Sequence, residues 1–172
     1  DRLTRAGMAV LRADPGMVGG DTDASAAAIT SQLRASVAFL KQRPDIQARS
    51  VGLLAMGSGA RAAALVAASS DASFLVFLGP LLENGSLPAP FAGVTCNTLV
   101  LEGALARESK GVAFWRRAFA KSSASIESLP GLNRYLQTAE TGADWELDSI
   151  EETLAPAALE RVSRWLTATL AE

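Results

Sequence analysis

The sequence predicts an α/β protein: a mostly parallel sheet of about five or six strands, with helices on both faces in three layers. Two observations carry this. Short, wholly apolar runs alternate along the chain with stretches whose apolar residues recur at helical spacing, which is the pattern of βαβ units. The apolar runs also lack the in–out alternation of a half-exposed strand, as expected of strands covered on both faces.

The elements follow in order. Met8 to Ala13 reads as a first short strand, ended by Asp14-Pro15-Gly16 and followed by a Gly19-Gly20-Asp21 turn. Asp23 or Ser25 is placed to cap a helix. Its Ile29, Leu33, Val37 and Leu40 share one face, and it stops before Pro44. Val51 to Met56 is a second strand, apolar throughout. Gly57-Ser58-Gly59 turns from it into an alanine-rich helix, Ala60 to Ala68. Ser73 to Leu78 is a third strand, and a loop rich in Gly and Pro runs on to about Gly93. Thr98 to Leu101 and Ser125 to Leu129 are the fourth and fifth strands. Between them Val112, Trp115, Ala118 and Phe119 mark a helix. A last helix opens near Pro156, a favoured first-turn residue, and buries Leu159, Val162, Leu166 and Leu170.

Composition bounds the function. The 172 residues fit one domain, 1–172, and the 49% hydrophobic content is enough for a substantial core. A net charge of -2 leaves no basic footprint for nucleic acid or an anionic membrane. No apolar run reaches the roughly 18 residues of a membrane span. One cysteine, Cys96, excludes an internal disulfide and leaves the compartment open. The localisation is left unknown, between cytoplasmic and, if a signal peptide preceded residue 1, periplasmic or secreted. There is no histidine. An ordinary Ser-His-Asp hydrolase or a His-ligated zinc site therefore cannot be built from this chain alone, and no metal or cofactor is expected.

In doubly wound folds ligands bind beyond the carboxyl ends of the strands, which directs attention to the turn after Met56. Three readings of that turn compete. One is a nucleophile elbow, where small residues flank a strained central position. Ala55 and Gly59 meet that demand around residue 57, but residue 57 is Gly. Centring on Ser58 instead would put the bulky Met56 at the close approach. The second is a dinucleotide fingerprint over Gly57–Ala62, Gly-x-Gly-x-x-Ala between strand and helix. It lacks the acidic residue expected at the end of the next strand. The third is a plain tight turn.

Several longer stretches together resemble the α/β-hydrolase superfamily, in its dienelactone-hydrolase-like and prolyl-oligopeptidase-like branch. Leu3 to Asp14 is similar to the branch's L-x-x-x-G-x-A-V-L-R-x-D strand, and Gly19-Gly20 to its glycine turn. Val37 to Leu40, Arg43 to Ile46 and Val51 to Leu54 are similar to A-V-x-F-L-x-x-R-P-x-I-D-x-x-R-V-G-L-I. Leu129 to Asn133 with Gln137 to Ala139 is similar to L-P-G-L-N-H-x-F-Q-T-A, and Ile150 to Thr153 with Pro156 to I-E-E-T-x-x-P.

The resemblance implies a truncated α/β-hydrolase fold and a Ser-Asp-His triad. Laid on this chain, the nucleophile's place falls on Gly57, the acid's on Ala106 and the base's on Arg134. It also implies strands before residue 1, whose absence opens a gap beside the Val51 strand. The Val10 strand would close that gap, or a missing segment or partner chain would fill it. An exposed sheet edge of this kind invites a second copy or another chain.

The expected function is thus a pseudo-hydrolase, a small-anion binding or assembly module. Gly57, Ser58, Gly59 and Arg134 would form the ligand site. Backbone N–H groups at a helix start and a guanidinium suit a carboxylate or phosphate, the plainer alternative being a solvated Arg134. A second hypothesis is an esterase-like or acyl-transfer enzyme acting through Ser58, activated by Lys41, Lys110 or Lys121. Nucleotide binding at Gly57–Ala62 is a third. Trp115, Trp145 and Trp165 are expected to be core or half-buried anchors. The acidic stretch Asp144, Glu146, Asp148, Glu151 and Glu152 lacks calcium-loop spacing and reads as a solvated face. Cys96, before a strand, lies at the wrong end of the sheet for chemistry.

Overall fold

The computed structural model describes residues 2–12, 22–69, 72–82 and 89–171. Four strands form one sheet in the order β1 (Leu53–Met56), β2 (Phe74–Leu78), β3 (Asn97–Gly103) and β4 (Ala124–Leu129), every neighbouring pair parallel. The register matches Leu53 with Leu75, Leu75 with Thr98 and Thr98 with Ala124. All four carboxyl ends therefore open on one rim.

The helices are α1 (Arg2–Arg5), α2 (Thr22–Gln42), α3 (Ala60–Ser69), α4 (Ala89–Ala92), α5 (Val112–Ala118) and α6 (Pro156–Leu170). Because side chains alternate across a strand, the sheet feeds two separate cores. On one face Leu53, Ala55, Leu75, Phe77 and Val100 pack with Val37 of α2, the alanines of α3, and Trp115 and Ala118 of α5. Phe77, Phe91, Trp115 and Phe119 interlock there, with ring centroids 5.5–6.3 Å apart. On the other face Val76, Leu78, Leu99 and Leu101 meet Ala158, Val162 and Leu166 of α6, with Leu132 and Leu136. The three layers expected from the sequence are present. At the β4 edge, Arg161 of α6 grips the Glu127 carboxylate, donating from Nε at 2.8 and 2.9 Å.

Four expectations need correcting. The sheet has four strands among the described residues, not five or six. Residues 8–12 of the expected first strand are irregular, with Val10 and Leu11 exposed, while Ala13 and the two turns expected over 14–21 lie outside the described residues. A strand needs a neighbour for its N–H and C=O groups. Among the described residues, β1 pairs with β2 alone. Finally, β1 is not covered on both faces. Leu53 and Ala55 are buried, but Leu54 and Met56 are 43% and 47% exposed, because they lie on the α6 face of the sheet and remain open to solvent. The capping expectation shifts too: α2 begins at Thr22, so Asp23 and Ser25 fall inside its first turn.

The asymmetry of β1 gives a direct stability test. Phe77→Ala, in the aromatic cluster, is expected to cost about 3–5 kcal/mol. Leu54→Ala should cost less than about 1 kcal/mol, since little apolar area leaves a packed environment. Urea unfolding of both variants checks the pair. Equal losses would mean that β1 is covered on both faces.

Candidate functional site

The turn leaving β1 has the geometry of an elbow. Gly57 opens a short 3-10 turn, Gly57–Gly59, that runs straight into α3. Its φ of 53° lies in the left-handed region, which glycine adopts without steric cost. The Gly57 carbonyl accepts two N–H groups, from Ala60 at the head of α3 and from Leu81 after β2 at 3.0 Å. The bend is thus fixed by backbone on both sides. A Cβ built on Gly57 meets nothing within 4 Å, and one on Gly59 would touch only the Ala55 methyl, at 3.8 Å. Ser58 is exposed. Of the N–H groups at this helix start, that of Ala60 is taken by the Gly57 carbonyl.

The other two expected positions come together across the rim. Ala106 lies in the turn after β3, its N–H donating to the Gly103 carbonyl at 3.0 Å. Arg134 lies in the loop after β4. Both line a shallow depression open to solvent, with Pro80, Leu81, Glu102 and Glu108. Gly57, Ser58 and Gly59 are not in its wall. Gly57 reaches it only through the hydrogen bond to Leu81.

Arg134 is already engaged. Its guanidinium pairs with Glu108 at 3.1 Å and Asp144 at 3.3 Å, and lies over the Tyr135 ring at 4.8 Å from the centroid. This ties the loop after β3, the loop after β4 and the 3-10 turn Asp144–Ser149 into one unit. The backbone is pinned as tightly. A Cβ on Gly79 would overlap the Arg134 carbonyl oxygen, and one on Gly103 the carbonyl oxygens of Leu132 and Asn133. Glycine is required at both positions, and at Gly79 also by its φ of 52°.

Residues that the sequence did not single out complete the rim. Buried Glu102, at the end of β3, accepts from Ser109 Oγ at 2.8 Å and the Lys110 N–H at 3.2 Å, which folds the following loop back onto the strand. Buried Asn133 accepts the N–H groups of Tyr135 and Gln137 at 2.9 and 3.0 Å and donates to the Gln137 side chain. Glu146, expected on a solvated face, is buried. It accepts from Thr141 Oγ1, the Thr141 N–H and the Gly142 N–H at 2.8–2.9 Å. Burial pushes its carboxyl up, and these donors outweigh that and hold it below the ordinary value. Asn133 stood in the L-P-G-L-N stretch, but nothing in its type announced a loop-knotting role. Glu102 and Glu146 carry no local signature.

Trp115 is core, Trp165 is partly buried against the α6-side core, and Trp145 is 72% exposed, against expectation. Cys96 precedes β3 as expected, and burial raises its thiol above the ordinary value. Among the described residues no cluster of three His, Cys, Asp or Glu is placed to hold a metal ion, and no helix is long and apolar enough to cross a membrane.

Gly79→Ala and Gly103→Ala are expected to destabilise the chain by more than about 2 kcal/mol each, since each must displace backbone rather than a side chain. Gly57→Ala, in open space, should cost about 1–3 kcal/mol from φ alone. Thermal unfolding ranks the three. The Glu146 carboxyl titrates lower folded than unfolded. Its contribution is therefore complete at neutral pH and is lost as pH falls through the folded value. Glu146→Gln should lower Tm at pH 7 and leave a shallower loss on acidification. An unchanged acid limb would contradict this.

No protein-family model matches the chain, and no curated protein does. Solved structures do. A dienelactone hydrolase from Anabaena variabilis ATCC 29413 superposes with a TM-score of 0.57 at 19% identity, over 85% of this chain and 60% of that one. The chain thus spans about three-fifths of that enzyme's length.

Proposed function

We propose that the chain, whose fold is similar in shape to that of a dienelactone hydrolase, is a non-catalytic member of that fold, acting as a binding or assembly module. The observation that carries this reading is Gly57. An elbow with left-handed φ and free space for a side chain holds none. The accompanying positions support it. Ala106 has no acid to offer and Arg134 no basic nitrogen, because a guanidinium stays protonated throughout the physiological range. Where a base and an acid would hydrogen-bond across the two loops, an Arg134–Glu108 ion pair bridges them.

Of the binding roles, a small carboxylate or phosphate at Arg134 must displace Glu108 or Asp144, and Glu102 and Glu108 line the same depression. That arrangement weakens the anion reading and favours assembly, through the rim or the edge of β1 that has no strand partner among the described residues.

The test is covalent. Wild type should neither hydrolyse p-nitrophenyl esters above background nor label with a fluorophosphonate probe. Labelling abolished by Ser58→Ala would overturn the proposal. In Gly57→Ser, with Ala106→Asp and Arg134→His added, detectable labelling is the expected gain. The elbow supplies geometry, and a nucleophile alone lacks the base that activates it.

A further inference from the structure

The geometry points to a preorganised docking surface for a basic, apolar-containing peptide segment of another protein, centred on Trp145 and Tyr135. This deepens the module reading by naming its surface and partner class. Tryptophan and tyrosine with arginine are the residues that dominate docking surfaces, and here the arginine links the two loops that carry the others. Trp145 is 72% exposed and Tyr135 43%. Arg134 ties their two loops together: its guanidinium lies over the Tyr135 ring at 4.8 Å and pairs at 3.3 Å with Asp144, the residue before Trp145.

Both aromatic residues stand on loops held from beneath by buried polar side chains. Asn133 accepts the Tyr135 N–H at 2.9 Å. The next residue, Leu136, is fully buried with a φ of 60°, a conformation that persists in a non-glycine residue only where surroundings enforce it. Glu146 pins the Trp145 turn through three hydrogen bonds to Thr141 and Gly142. Two loops thus hold their aromatic side chains in water on a fixed frame. That frame removes most of the ordering cost a flexible surface would add on binding.

Charge selects the partner. The segment from Arg134 to Glu152 carries one cation and six carboxylates, and that cation is already paired with Glu108 and Asp144. Glu140, Asp148 and Glu151, on the same segment as Trp145, are exposed as well. Lysine or arginine side chains complement that field and can lie over the Trp145 face, while an apolar neighbour covers the rings.

A fluorescein-labelled short peptide alternating lysine and leucine tests this by anisotropy. Saturable binding is expected, weakened at least tenfold by Trp145→Ala and by Tyr135→Ala, with unchanged Tm in both variants. The glutamate–leucine counterpart should not bind. Absence of saturable binding, binding indifferent to Trp145→Ala, equal binding of the acidic peptide, or Trp145-dependent self-association in sedimentation would each overturn the inference. Because labelling reports on Gly57 and anisotropy on Trp145, a failure here leaves the non-catalytic reading intact, and a failure there leaves this surface intact.

Discussion

The rim of this protein depends on a backbone contact. The loop after β4 lies across the carboxyl ends of β2 and β3 so closely that neither Gly79 nor Gly103 has room for a methyl group beneath the carbonyls of residues 132–134. Parallel strands end together on one side, and their exits need cover. Here the cover is another stretch of main chain. The contact sets where Arg134 begins, and so which carboxylates its side chain can reach. It also forces the next turn to be tight, which Asn133 makes by collecting the N–H groups of Tyr135 and Gln137. Buried Leu136 then anchors the turn in the α6-side core, its carbonyl accepting the Ala155 N–H at 2.8 Å just ahead of the helix.

On that frame electrostatics adds selectivity more than strength. The Arg134 pairs are partly exposed, and such pairs contribute on the order of 1 kcal/mol or less each. Their consequence is geometric. One guanidinium joins three loops that come from different parts of the chain, and its positive charge is largely answered before any ligand arrives. The buried carboxylates do more for the fold. Glu102 and Glu146 each satisfy loop donors that would otherwise be stranded beside the core, and an unsatisfied buried donor costs roughly 1–3 kcal/mol.

What the sequence disclosed follows from which forces are local. Helical spacing located α3, α5 and α6, and unbroken apolar runs located strands β1 to β3, to within two or three residues, because burial is written directly into residue type and spacing. They failed for the β1 faces, since Leu54 and Met56 are as apolar as their buried neighbours and only the reach of α6 distinguishes them. They failed for residues 8–12, because a strand exists only with a partner. At the site, Gly57, Ala106 and Arg134 were found through resemblance, and two of them do share a depression. Glu108, Asn133 and Glu146 were not singled out for their roles. Their importance arises from what lies opposite them in space, which no spacing rule records.

The elbow shows how far shape is independent of chemistry. A left-handed residue at such a turn is commonly explained by a nucleophile it carries, yet here the bend forms around a glycine. The reason is in the hydrogen bonds: the Gly57 carbonyl holds the first N–H of α3 and the Leu81 N–H of the neighbouring crossing. A β1-to-α3 connection of three residues that must satisfy both has little conformational choice, whatever side chain it bears. With any other L-residue at 57 the turn would carry a penalty of about 1–3 kcal/mol, and glycine removes it. The same logic applies in reverse at Leu136, where a bulky residue keeps a positive φ because its side chain fills the core. Packing on both sides of the sheet therefore decides where strain is tolerated, and the rim is free to carry either reactive groups or, as at Tyr135 and Trp145, exposed aromatic ones.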